Sequence, residues 1–138
     1  MAAASPQVDA PKLNLLIVED SFLAARTLVR IVESMGATVL GPAPSVAAAL
    51  HLLDSSTCHG AILDVNLGDE SVEPVAVRLE ESGCPFFFLT GYASPVSLGP
   101  SFRSRLLLHK PVEAGALIDA IRREFARLTD PPRASPPT

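Results

Sequence analysis

Leu13-Asn14-Leu15-Leu16-Ile17-Val18-Glu19-Asp20-Ser21 is the stretch that decides the fold. Alternate side chains of a strand point to opposite faces, so a nearly unbroken apolar run must be covered on both. This is the pattern of a strand inside a parallel sheet. The run stops on two carboxylates, Glu19 and Asp20. Ser21 can then cap a helix whose apolar positions Leu28, Ile31, Val32 and Met35 recur at helical spacing, and Gly36 ends it.

The same unit recurs along the chain. Thr38-Val39-Leu40 reads as a second strand closed by Gly41-Pro42, and Ser45 caps a helix over Val46–Leu53. Ala61-Ile62-Leu63 is a third strand and delivers Asp64. A helix near Val72–Ser82 follows, with Pro74 in its first turn, and Gly83-Cys84-Pro85 breaks the chain. Phe86-Phe87-Phe88-Leu89 and Leu106-Leu107-Leu108 make the fourth and fifth strands. A last helix from about Val112 places Leu117, Ile118, Ile121, Phe125 and Leu128 on one face. Strand and helix alternate, which predicts an α/β fold: a parallel sheet with helices on both faces. Between the last two strands, Pro95, Gly99 and Pro100 interrupt Ala93–Ser104, so any helix there is short or absent.

A length of 138 residues suits one domain, and an apolar fraction of 48% can fill its core. Six Phe, one Tyr and no Trp make that core mainly aliphatic. A net charge of −4, with eleven basic residues spread along the chain, gives no footprint for nucleic acid or an anionic membrane. No apolar run is long enough for membrane insertion, and the start has no cationic segment leading into an apolar one, so no signal peptide. A soluble, cytoplasmic protein is expected. Residues 1–11 and the Pro-rich 129–138 read as disordered tails around a domain at 12–128. Cys58 and Cys84 can form one disulfide, but two free thiols in a reducing cytosol is the blander expectation. His51, Cys58 and His59 fit no zinc spacing, and Cys58 stands isolated in the sequence.

Ligands of such sheets bind beyond the carboxyl ends of the strands. Those ends carry Glu19-Asp20, Asp64, Thr90 and Lys110-Pro111. Taken singly, each has an ordinary explanation as a cap, a turn residue or a solvated lysine. Together they converge on one rim. Gathered carboxylates repel one another unless a cation joins them, and a hard oxygen-loving ion such as Mg²⁺ (Mn²⁺ as an alternative) resolves the conflict. Lys110 can balance an incoming phosphoryl group and Thr90 can donate a hydrogen bond to it. The set suits phosphoryl transfer to a carboxylate.

With these residues in this order, the chain resembles the response-regulator receiver domains of two-component signalling over about residues 12–128. It bears a closer likeness to the small alphaproteobacterial single-domain receivers with a Phe-Ala-Thr-Gly-Tyr-like motif, here Phe88-Leu89-Thr90-Gly91-Tyr92. Val18-Glu19-Asp20 and Asp64-Val65-Asn66-Leu67 fit the same group. The resemblance implies a flavodoxin-like (CheY-like) five-stranded sheet of order 2-1-3-4-5. It implies Asp64 as phosphoacceptor and Asp20, Asp64 and the Asn66 backbone carbonyl as Mg²⁺ ligands, with Glu19 acting through water. Thr90 becomes the switch hydroxyl, and Lys110 the contact to phosphoryl oxygens. Many receivers carry an aromatic three residues before the lysine. Leu107 stands there, so Tyr92 in the loop is the expected substitute, in a mobile Tyr92–Ser104 segment. His109 should point away from the direction of Lys110. Phe22, Leu23 and Pro111 are expected to dock a histidine kinase or histidine phosphotransfer protein, although a core role for Phe22 or Leu23 fits the sequence equally well.

Several functions compete. A signalling phosphoacceptor would do no catalysis beyond its own phosphorylation and dephosphorylation. With no further domain after Leu128, its output would be contact with an unknown downstream protein, or a role as phosphoryl shuttle or sink. A haloacid-dehalogenase-like phosphatase also uses an Asp nucleophile with Mg²⁺, but needs a second Asp where this chain has Asn66. A flavodoxin-like cofactor binder would want a phosphate loop where Glu19-Asp20 stands. A receiver that no longer accepts phosphate is disfavoured, because every expected acceptor-site residue is present.

Overall fold

A computed structural model describes residues 13–91 and 98–125. Their elements are β1 (Asn14–Val18), α1 (Phe22–Ser34), β2 (Thr38–Ala43), α2 (Val46–Ser55), β3 (Gly60–Asp64), β4 (Asn66–Leu67), β5 (Glu70–Ser71), α3 (Glu73–Glu81), β6 (Phe86–Thr90), β7 (Leu107–His109) and α4 (Ala114–Glu124), with one 3₁₀ turn at Pro100–Phe102. Five strands form a parallel sheet in the order β2-β1-β3-β6-β7. Counting those five alone, this is the expected 2-1-3-4-5.

The continuous apolar runs have the expected cause. On one face Leu15, Ile17, Ile62, Phe87 and Leu89 are buried with Leu28 and Val32 of α1 and Leu117, Ala120 and Ile121 of α4. On the other, Leu16, Val18, Leu63, Phe86 and Phe88 pack with Ala49 of α2, Val75 and Leu79 of α3, and Phe102. Each fully buried side chain of this size contributes roughly 1.5–3 kcal/mol. Ser21 and Ser45 cap α1 and α2, accepting from the backbone N–H of Ala24 and Ala48. Gly36, at φ +87°, takes the left-handed turn that releases the chain from α1.

Three details differ from the sequence expectation. The last strand of the sheet is Leu107–His109, one residue later than expected, because its ladder pairs Leu107 with Phe88 and His109 with Thr90. On α4 the buried stripe is Leu117, Ala120 and Ile121, with Ile118 only half-buried. Asn66–Ser71, assigned to no element from sequence, forms the antiparallel β4–β5 hairpin, whose turn includes Gly68 at φ +59°. The fourth helix is short, as expected: among the described residues it is the Pro100–Phe102 turn. Leu98 and Phe102 are buried and Gly99 donates its N–H to the Glu73 carboxylate, so this described part is anchored to the core and to α3. Residues 1–12, 92–97 and 126–138, which include Tyr92, Leu128 and both expected tails, lie outside the described residues.

Candidate phosphoacceptor and metal site

Parallel strands point their carboxyl ends the same way, so the residues following β1, β3, β6 and β7 meet on one rim. Backbone hydrogen bonds fix each one. Glu19 donates its N–H to Ala43, Val65 to Leu89 and Lys110 to Thr90, at 2.9, 2.8 and 2.8 Å. Among the described residues, the buried polar or charged side chains are Glu19, Asp64 and Thr90. All three belong to this rim.

Burial leaves ionised groups in need of partners. The Lys110 ammonium lies 2.8 Å from Asp64 Oδ2 and 2.5 Å from Glu19 Oε1. The first contact is a hydrogen bond. The second is a close ion pair with the buried Glu19 carboxylate. Glu19 Oε2 accepts from the Ser21 N–H at 3.0 Å. Asp64 Oδ1 accepts from the Asn66 N–H at 2.9 Å, and the Asn66 side-chain amide donates to Thr90 Oγ1 at 3.5 Å. Burial raises the pKa of Glu19, an effect that Lys110 and the Ser21 N–H offset and Asp64 reinforces. Burial works against the charge on Lys110, but Asp64 and Glu19 outweigh it and hold its pKa above the ordinary lysine value.

Asp20 completes the group from the exposed side. One carboxylate oxygen each from Glu19, Asp20 and Asp64 lie within 4.8 Å of one another. One lysine cannot balance three such charges. An all-oxygen donor set with an open side fits a hard divalent cation. The cavity in front of it holds about 690 Å³ and is lined by Glu19, Asp20, Asp64, Asn66, Lys110 and Pro111. That is room for a phosphoryl group and the side chain delivering it.

The chain is similar to SdrG from Sphingomonas melonis Fr1, with 36% identity over 86% of this chain and 99% of SdrG, at a TM-score of 0.74. A BeF3-activated conformation of SdrG, from Pseudomonas melonis Fr1, is 37% identical over 78% of this chain and 92% of that one, at a TM-score of 0.66. The chain belongs to the response-regulator receiver family. The PhyR response regulator REC domain of Erythrobacter litoralis shares the receiver fold at a TM-score of 0.70 with 22% identity, covering 89% of this chain and 97% of that one. No protein-family model and no curated protein matches this receiver. Receivers are signalling proteins, mostly not enzymes, and typically bind Mg²⁺. No described helix of this one is long and apolar enough to cross a membrane.

Other expected residues of this receiver fall as follows. Phe22 and Leu23 are 71% and 75% exposed at the start of α1, so neither has a core role. Pro111 lines the cavity. Leu107 packs half-buried against the core, and His109 is exposed. His59 Nδ1 accepts from the Asn14 N–H at 2.9 Å, a structural contact. Cys58 is not isolated: its Sγ lies 3.7 Å from Cys84 Sγ. The two thiols are free, as the blander expectation had it, yet the pairing of β3 with β6 brings them side by side.

Proposed function

We propose that this receiver is a single-domain response regulator that accepts a phosphoryl group on Asp64 from a histidine kinase or a histidine phosphotransfer protein. The observation that carries the proposal is the burial of Asp64 and Glu19 around one lysine, with Asp20 beside them. An Asp64 oxygen attacks the phosphorus of a phosphohistidine. The P–O bond forms as the P–N bond breaks, and the leaving imidazole takes up a proton. Asp20, Asp64, the Asn66 backbone carbonyl and Glu19, through water, would hold Mg²⁺ (or Mn²⁺). When bound, the ion supplies charge neutralisation at the phosphoryl oxygens. Lys110 pairs with an oxygen of the transferred group in place of the charge it loses on Asp64. Thr90 donates its hydroxyl hydrogen to another phosphoryl oxygen, while its lone pairs remain open to the Asn66 amide.

Output follows by contact with a downstream protein, or by passing the phosphoryl group on as a shuttle or sink. Phe22 and Leu23 offer the donor protein an apolar edge beside Asp20, and Pro111 adds to it across the cavity. The functional unit is residues 12–128, with 1–11 and 129–138 as tails and Tyr92 as a switch-loop residue. Chemistry beyond self-phosphorylation and self-dephosphorylation is not part of the role, since Asn66 stands where a phosphatase of related chemistry needs an acid. The test is transfer from a phosphorylated histidine kinase to the wild type and to Asp64→Asn. Label should reach only the wild type; equal labelling of both would place the acceptor elsewhere.

A further inference from the structure

The amino end of the sheet, opposite the phosphoacceptor rim, holds a second reactive cluster. Cys58 lies in the connection before β3 and Cys84 in the connection before β6. The parallel pairing of those strands, with Ala61 opposite Phe86, sets the two connections side by side. Both thiols are free, and their sulfurs are 3.7 Å apart. The pair faces a cleft of about 310 Å³ lined by His59, Arg78, Ser82 and Pro85 as well as the two cysteines. Cys58 is half-buried, while Cys84 is 8% exposed.

We propose that Cys58 and Cys84 are a peroxide-oxidisable dithiol that closes to a disulfide and locks residues 58–84, the segment carrying Asp64, into a covalent loop. The sulfurs must close from 3.7 Å to about 2.05 Å. Side-chain rotation can supply this, since paired strands lie about 4.8 Å apart. The two thiols are inequivalent. The contact with Cys84, in which either sulfur can be the donor, lowers the Cys58 pKa against the opposing effect of burial. The same contact, with burial, pushes Cys84 far up. Cys58, the more exposed of the two cysteines at the cleft, is therefore the nucleophile, and Cys84 keeps its proton until the second step.

In the first step the Cys58 thiolate attacks one oxygen of hydrogen peroxide. An S–O bond forms, the O–O bond breaks, and the departing hydroxide takes a proton to become water. Cys58 is now a sulfenic acid. In the second step the Cys84 sulfur attacks the Cys58 sulfur, forming S–S as S–O breaks. The Cys84 proton leaves with the hydroxyl as a second water. A thiol reductant reverses the change by exchange.

The experiment treats the reduced full chain with a small excess of hydrogen peroxide and follows free thiols, intact mass and melting temperature. Expected is joint loss of both thiols in a monomer, with the mass falling by two hydrogens and recovery on adding dithiothreitol. The oxidised form should melt roughly 10 °C higher. Cys84→Ala should accumulate a dimedone-trappable sulfenic acid at Cys58. Cys58→Ala should leave Cys84 reacting at least about ten-fold more slowly than Cys58 does in the wild type. Surviving thiols, intermolecular dimers, a faster Cys84, or an oxidised form melting no higher would each overturn the proposal. The wild-type measurements decide it even if a variant folds poorly.

Discussion

Lys110 reaches Asp64 across an intervening strand. Its ammonium stands 2.8 Å from Asp64 Oδ2, although Lys110 follows β7, Asp64 ends β3, and β6 lies between. The stem passes over Gly91, with its Cδ 3.7 Å from where a Cβ of residue 91 would sit. The same ammonium meets Glu19 Oε1 at 2.5 Å. One cation thus serves two buried carboxylates, and a third carboxylate stands beside them. Removing it leaves buried charge uncompensated. Lys110→Met is expected to lower stability by about 2 kcal/mol in chelator and by clearly less with Mg²⁺ present. Urea unfolding with EDTA and with Mg²⁺ measures both; an equal loss in the two conditions would mean lysine and ion do not share these carboxylates.

Mg²⁺ should stabilise the folded chain, because the carboxylates converge only when β1 and β3 are paired. A concentration one hundred times its Kd is expected to add about 2.7 kcal/mol. Asp20→Asn should weaken the ion by about ten-fold or more, since it removes a charged oxygen from the open side of the site. Titrating the melting temperature with Mg²⁺ gives both affinities, and unchanged binding in the variant would remove Asp20 from the ligand set.

Glu19 makes the site pH-dependent. Its folded pKa is raised above 4.5 by burial. The folded state therefore holds this proton more tightly than the unfolded state, and stability falls as pH rises from about 4.5 through the folded pKa. The ion competes with the same proton, so Mg²⁺ affinity should climb across that window. Glu19→Gln should flatten both trends. A wild-type affinity that stays level from pH 4.5 upward would contradict the linkage.

Thr90 is buried at the end of β6, where its Oγ1 accepts from the Asn66 amide. Thr90→Ala is expected to keep phosphorylation within about three-fold while losing the structural response, and Thr90→Ser to restore the response. Hydrogen exchange over Leu98–Ser104, before and after phosphorylation, reads that response. The same change in Thr90→Ala as in the wild type would show that the hydroxyl does not couple the site to this segment.

How far the sequence could be read depended on whether each signal was local. Leu13–Val18 and Phe86–Leu89 are strands because both sheet faces are covered, and a continuous apolar run records that directly. Ser21 and Ser45 marked their helices through capping chemistry alone. Three features left no such mark. Asn66–Leu67 and Glu70–Ser71 are too short for any periodicity. Leu106-Leu107-Leu108 offers three equivalent residues, so only pairing with β6 could set the register. The Cys58–Cys84 contact spans 26 positions and exists only in the assembled sheet. At the site, residue types and order were legible. The sharing of Lys110 between Glu19 and Asp64, and the depth of their burial, were not, since both depend on distances across four neighbouring strands.

The most direct measurement of the central claim is to treat the protein with acetyl phosphate and Mg²⁺, then locate the new phosphoryl group by intact mass and by reductive trapping of the acyl phosphate. The expected result is one added phosphoryl group, trapped at Asp64, and none with EDTA or in Asp64→Asn. A phosphoryl group found on another residue, or gained equally in the absence of a divalent ion, would contradict it.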